Sequence, residues 1–255
     1  MKIKNKWLIR LLVFAFWIIL WAAAARWIHN PILAAGPVDT MRALIRLAGT
    51  ADFYRSILNS MLRILLGLIA GGILGVLFGA LCYRFALLRT VISPAVAAMK
   101  SVPVASFVIL ILIWAGSRNL AFFIVLFVSF PILYLNTLSG LMATPSEMTE
   151  MVQIFHMPLV RRIRYLYLPQ LQPFLESAVT LALGMSFKSG VAAEVIGQPL
   201  LSIGNGLYRA KIYLNTEEVF AWTIVILLIS WGLESGIAKL IGRKKRKAAG
   251  EDGAA

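Results

Sequence analysis

The sequence predicts an all-α fold, a polytopic membrane protein of about six transmembrane helices with one long polar elbow between spans four and five. Three observations carry that expectation. Of 255 residues, 60% are hydrophobic and only 14% charged, whereas soluble domains run roughly 45–50% apolar and about 25% charged. The apolar residues fall in long runs with basic residues clustered beside them, as orientation in a bilayer requires. One charged passage, 144–173, interrupts this pattern and carries helix signals of its own.

The whole chain reads as one transmembrane domain. Lys2, Lys4, Lys6 and Arg10 precede an apolar run over 11–27, expected to be an uncleaved anchor with its N-terminus in the cytoplasm. In the outside loop that follows, Met41, Leu44, Ile45 and Ala48 recur at helical spacing opposite Arg42 and Arg46, predicting a short amphipathic helix. The second span, 57–83, carries Gly67, Gly71, Gly75 and Gly79, four residues apart. That spacing places them on one helix face, where another backbone can approach closely. Arg63, near its outer end, is expected to snorkel to the headgroups, and Cys82 to pack at its inner end.

Pro94 and Pro103 break the next segment, with Lys100 and Ser101 between them. The third span, 104–116, is short for a bilayer and is expected to be broken or re-entrant. Gly116–Asn119 reads as an outside turn before the fourth span, 120–142. A fifth span covers 174–196 and a sixth 219–241. Between these last two, 197–218 reads as an outside loop with a turn at Gly204-Asn205-Gly206. The basic run Arg243–Lys247 opens a C-terminal tail, 242–255, expected to be unstructured from Ala248. Basic residues are concentrated on the inside segments of this topology, which puts both termini and the 144–173 elbow in the cytoplasm.

The elbow begins with Thr144-Pro145-Ser146-Glu147, which predicts a Thr144 N-cap, Pro145 at the first helical position and Glu147 closing a capping box. Met148, Met151, Val152 and Phe155 then form an apolar stripe on a helix too short to cross a bilayer. Pro158 bends the chain near Met157. A second short helix carries Arg161, Arg162 and Arg164, and Pro169 leads into the fifth span. A helix, a bend and a basic helix between two spans suit a docking surface.

The fifth span is rich in small and polar residues, among them Ser186, Lys188, Ser189 and Glu194. Ionisable groups inside a span mark a functional segment by default, so these four are the candidate lining of a translocation pathway. Lys188 and Glu194 are about 120° apart around the helix and do not form an obvious pair. No enzyme site is visible: GxxxxGK[ST], HExxH and GxSxG are all missing from the sequence, which leaves a non-catalytic subunit with no cofactor and no metal site. The net charge of +14 is that of membrane-flanking basic clusters, and no nucleic-acid partner is expected.

The elbow resembles the cytoplasmic "EAA" loop of bacterial ABC importer permeases. Glu150 matches the family Glu, Met151 and Val152 stand for the two alanines, His156 stands where the family has Gly, and Leu166, Leu168 and Pro169 fill the Ile-x-Leu-Pro positions. The segments Phe187–Gly197 and Ser202–Leu207 look like the nitrate/sulfonate/taurine branch. The resemblance implies a membrane-embedded permease dimer, two cytoplasmic ABC ATPase subunits and an extracytoplasmic solute-binding protein in the bacterial inner membrane; one six-span chain would pair naturally with a copy of itself, a homodimer. It further implies that Glu150, Met151, Val152, Phe155, His156, Arg161, Leu168 and Pro169 belong to the ATPase-coupling surface. The transported solute would be a small anion such as nitrate, a sulfonate, taurine or bicarbonate, although the branch also takes some pyrimidine vitamin precursors. The competing expectation is an ion-coupled secondary transporter, with Lys188, Glu194 and Glu234 as coupling groups and no ATPase partner.

Overall fold

The computed structural model describes residues 6–30 and 32–251, with the side chains of residues 7, 9–30 and 32–239. Lys2, Lys4 and the side chains of Lys6 and Arg243–Lys247, which enter the charge argument, lie outside the described residues. All regular structure among the described residues is helical: α1 (Lys6–Ile28), α2 (Pro37–Ala48), α3 (Ala51–Arg84), α4 (Ala86–Ser101), α5 (Val104–Met142), α6 (Ser146–Ile154), α7 (Leu159–Arg162), a π-helical turn (Ile163–Tyr167), α8 (Leu168–Gly197), α9 (Ile203–Ile212) and α10 (Thr216–Glu251). Among the described residues, five stretches are long and apolar enough to cross a membrane: 9–28, 51–84, 104–142, 159–197 and 216–239.

The third of these is folded on itself. Gly116 sits at φ 71°, ψ 170° within α5, a conformation that a residue with a Cβ rarely adopts. Phe107 and Phe127, on either side of it, bring their ring centroids to 5.2 Å. In an unbroken helix those residues would be roughly 30 Å apart, so the chain reverses at Gly116. The short arm, 104–115, packs Val108 and Ile111 against Leu120 and Ile124 of the long arm, 117–142. At about 1.5 Å per residue the short arm covers only roughly 18 Å, less than a bilayer core.

The centre of the molecule is the long arm of α5, with α3 on one side and α8 on the other. The glycine row of α3 makes the first interface. A Cβ at Gly75 would lie 2.7 Å from Leu133 Cβ and 2.8 Å from the Phe130 carbonyl, and one at Gly67 would lie 2.5 Å from the Phe122 carbonyl. The row therefore packs within the chain, backbone against backbone. On the other side, Ala178 and Ala182 of α8 pack with Leu133. Gly190 of α8 leaves room for Ile64 and Val125. Near the α9 end of α8, Phe53, Ile64, Val125, Phe187, Val191, Ile203, Trp222 and Val225 close a common core. At the opposite end Cys82 is buried beside Val96, Tyr134 and Leu138, as a packing residue.

Three local expectations are corrected. In α2 the buried residues are Thr40 and Ala43, with Leu44 and Leu47 against the core, while Met41 and Ile45 face outward. The helix thus buries a face rotated from the one its apolar spacing picked out. The segment 197–218 is not an open loop: Gly204 and Gly206 lie inside α9. Also, α10 continues through Ala248 to Glu251, because Lys, Arg and Ala are strong helix formers and nothing before Gly250 interrupts them.

Candidate functional site

At the elbow, Thr144 belongs to the end of α5. Its N–H donates to the Leu141 carbonyl at 3.3 Å, its Oγ1 is buried without a partner, and no capping box forms. Pro145 is extended (ψ 140°), and α6 starts at Ser146. The apolar stripe then divides. Val152 is buried, whereas Met148, Met151 and Phe155 are exposed, and Ile154, Leu159 and Val160 join them on the surface. Glu150 and Arg161 are exposed beside these apolar groups. Val152 is the buried residue of α6, and the other apolar residues of the elbow are left exposed.

The bend lies at His156, one residue earlier than expected. His156 adopts φ 47°. Its N–H donates to the Gln153 carbonyl, and the Met157 N–H donates to the Val152 carbonyl at 3.1 Å. These are the two bonds of a Schellman ending, whose left-handed position usually holds glycine. His156 fills that position, with Nδ1 3.0 Å from the Ile154 carbonyl oxygen. Replacing glycine by histidine therefore leaves the bend intact. Arg162 completes it by donating from Nε to the Met157 carbonyl at 2.7 Å, so this arginine holds the elbow.

From Leu159 the chain runs without interruption to Gly197 as one rod of 39 residues, roughly 58 Å long. Its irregular part is the π-helical turn, where the Leu168 N–H reaches back to the Ile163 carbonyl. Pro169, the next residue, has no N–H to donate, so the helix changes hydrogen-bond register there without losing a further donor. Leu168 and Pro169 are exposed, Leu166 is buried, and Tyr167 sets its ring edge-on to Tyr83 of α3 with centroids 5.9 Å apart.

Along α8 the four pathway candidates separate. Ser186 and Glu194 are buried, Ser189 is half-buried, and Lys188 is exposed. Ser186 Oγ has no partner. Lys188 continues an uncovered stripe of Leu181, Met185 and Ala192, at i, i+4, i+7 and i+11 on one helix face. Leu181 and Met185 also border a groove of about 340 Å³ with Lys100 and Asn136 at one end.

Glu194, about 120° round the helix from Lys188, is buried inside a polar node. Its carboxylate accepts from Ser60 Oγ at 2.5 Å, from Arg63 at 3.4 Å and from the Gly204 N–H at 3.4 Å. Ser60 Oγ in turn accepts the Ile203 N–H at 2.9 Å, and Ser202 Oγ accepts the Asn205 N–H at 3.0 Å. The first donors of α9, which no intrahelical carbonyl can reach, are thereby satisfied. A Cβ at Gly204 would overlap the Glu194 backbone, so glycine lets the two helices touch. Ser60 and Arg63 are partners of Glu194 that the sequence did not mark: Arg63 is drawn inward to Glu194 instead of toward headgroups.

The residues 64–234 match the family described as binding-protein-dependent transport system inner membrane component. Among curated proteins, the chain is 23% identical over 226 residues to the taurine transport system permease protein TauC of Escherichia coli K12, covering 86% of this chain and 82% of that one. It is 24% identical over 213 residues to the aliphatic sulfonates transport permease protein SsuC of Bacillus subtilis 168, covering 83% and 76%. Among solved structures, a chain of the inward-facing MetNI methionine ABC transporter superposes with a TM-score of 0.65 at 15% identity, over 75% of this chain and 95% of that one. A chain of an amino acid ABC transporter with histidines gives a TM-score of 0.62 at 20% identity, over 80% and 97%. These two likenesses show the fold.

Proposed function

This chain belongs to the binding-protein-dependent transport system inner membrane components, and from that membership we propose that it is the permease subunit of an ATP-driven importer of a small anion. In this reading two copies form the pathway in the bacterial inner membrane, with both termini and the elbow in the cytoplasm. Two ABC ATPase subunits dock on the elbows, and a solute-binding protein delivers the cargo from outside. The observation that carries the reading is the division of the elbow: Val152 is buried, while Met151, Ile154, Phe155, Leu159 and Val160 are all exposed. An exposed apolar patch flanked by Glu150 and Arg161 suits a partner groove. It sits at one end of a rod whose other part crosses the membrane. ATP-driven closure of the ATPases would move that rod.

The uncovered stripe of α8 would face the pathway between the copies. Lys188 then places an ammonium group where an anion passes, attracting it in a medium of low dielectric. The names of the relatives, taurine and aliphatic sulfonates, support a sulfonate-type cargo. The ion-coupled alternative uses Lys188, Glu194 and Glu234 as coupling groups, and the engagement of the buried Glu194 by Arg63 counts against it.

The test compares two variants of the tagged permease. Phe155→Arg should fold as the parent does but lose a co-purifying P-loop ATPase and ATP-dependent uptake. Val152→Arg should instead lower the yield of folded protein, because it forces a charge into the elbow's anchor. Uptake that follows an ion gradient and survives ATP depletion would sink the importer reading.

A further inference from the structure

The chain leaves helical geometry a second time at membrane depth, where α4 meets the short arm of α5. Val102 and Pro103 take ψ values of 131° and 133°, and both residues are exposed. Val102 and Val104 border the same groove as Pro131, which stands near the middle of the long arm of α5. Irregular backbone at that depth is tolerated only where protein buries it or a water-filled cavity meets it. An exposed break there therefore belongs to the pathway between the copies and not to lipid.

The groove at this break encloses about 340 Å³, inside the range of roughly 300–1,000 Å³ common to small-molecule sites. Phe107, Phe127, Leu181 and Met185 form its walls, and Lys100 and Asn136 stand at the end nearer the elbow. The Asn136 amide donates to the Ile132 carbonyl at 2.8 Å and keeps a second N–H. Among the described residues, no carboxylate lines the groove and none pairs with Lys100. The groove is thus cationic at one end and apolar along its length, with nothing to receive a positive group. Lys188 follows Met185 on the same face of α8, about 4.5 Å further from the elbow.

We propose that this groove is a cargo site for organic sulfonates with a plain apolar chain, the sulfonate held by Lys100 and Asn136 and the chain laid along Phe107, Phe127, Leu181 and Met185. The proposal rests on the importer reading and narrows its sulfonate cargo. A zwitterion such as taurine would satisfy Lys100 but leave its own ammonium among apolar walls, where an unpaired charge is costly. An alkanesulfonate buries its chain there instead. Chain length then sets affinity, each added methylene tightening binding about threefold to fourfold until the groove is full.

The experiment measures radiolabelled hexanesulfonate bound to the tagged permease, purified with its associated subunits into nanodiscs, with empty nanodiscs as the blank. Butanesulfonate, octanesulfonate and taurine serve as competitors. Competition should strengthen about threefold to fourfold per methylene, with taurine weaker than butanesulfonate by roughly tenfold. Lys100→Gln should weaken hexanesulfonate binding about tenfold at an unchanged melting temperature, and Lys100→Arg should retain it. Leu181→Glu, at an exposed position, should reduce the preference for hexanesulfonate over taurine. No displaceable binding to the parent, affinity independent of chain length, taurine competing as well as butanesulfonate, or parental binding by Lys100→Gln would each overturn the proposal. A phospholipid seen by native mass spectrometry on the parent and missing from Lys100→Gln would assign the groove to lipid, and overturn it equally. Uptake that survives ATP depletion would instead remove the importer reading, a result obtained in cells and independent of this binding.

Discussion

Ser60 and Glu194, 134 positions apart in the chain, meet inside the protein, with the Ser60 hydroxyl donating to the Glu194 carboxylate at 2.5 Å. The same hydroxyl accepts a backbone N–H of α9, so one serine joins a span, a carboxylate and a helix start. Arg63 supplies the countercharge at 3.4 Å, with only 19% of its side chain exposed.

Removing the carboxylate therefore strands a guanidinium and a backbone donor together. Glu194→Ala should lower stability by roughly 3–5 kcal/mol, and Ser60→Ala by about 1–3 kcal/mol. Because the two share a network, the double variant should cost less than their sum. Unfolding midpoints in one detergent would read this, and simple additivity would show that the two residues act independently.

The glycines of α3 differ sharply among themselves. Gly75→Ala drives a methyl against Leu133 and the Phe130 carbonyl and should cost about 1–3 kcal/mol. At Gly72 the nearest atom is 3.9 Å from an added Cβ, so Gly72→Ala should be neutral or gain roughly 0.5–1 kcal/mol from helix propensity. Equal melting temperatures for the two variants would contradict the close packing of α3 on α5.

His156→Gly should stabilise the elbow by about 1 kcal/mol, since glycine takes a positive φ without the crowding of a Cβ. His156→Val should do the reverse, because a β-branched side chain tolerates that region poorly. Thermal melting compared across the three proteins would test the order Gly above His above Val.

The π-helical turn gives a fourth outcome. Pro169→Ala restores the missing N–H and should let the turn close to α-helical spacing, holding or raising the melting temperature. Transport should nevertheless fall, because the elbow would be set differently on α8. Unchanged transport at unchanged or higher stability would deprive the turn of any part in coupling.

Much of the fold was legible because its signals are local or periodic. The glycine spacing of α3 identified a packing face, and Gly116 announced a reversal that its φ value requires. The Glu150–Pro169 pattern pointed to the elbow. What could not be read was the pairing of distant residues. Arg63 and Glu194 are 131 positions apart, and no spacing rule links them. Gly204 and Gly206 looked like turn residues, yet they are helical and stand against Glu194 and Trp222. Composition registers that glycine is needed and leaves open whether the need is for a bend or for contact. The apolar stripe of the elbow raised the same difficulty: periodicity found Met148, Met151, Val152 and Phe155, and only the fold distinguishes the one that is sealed from those that are presented.

The light attachment of α1 has a bearing on how the protein is made. None of the residues in its apolar window is buried. Its described ties are a Trp21–Phe220 ring stack at 5.6 Å and a Trp21 indole bond to the Ala35 carbonyl. The helices that build the centre, α3, α5 and α8, all emerge later during synthesis. Helix α1 can therefore enter the bilayer without waiting for them. The later helices can then sort out their glycine and alanine contacts among themselves, already threaded through the membrane in the right sense.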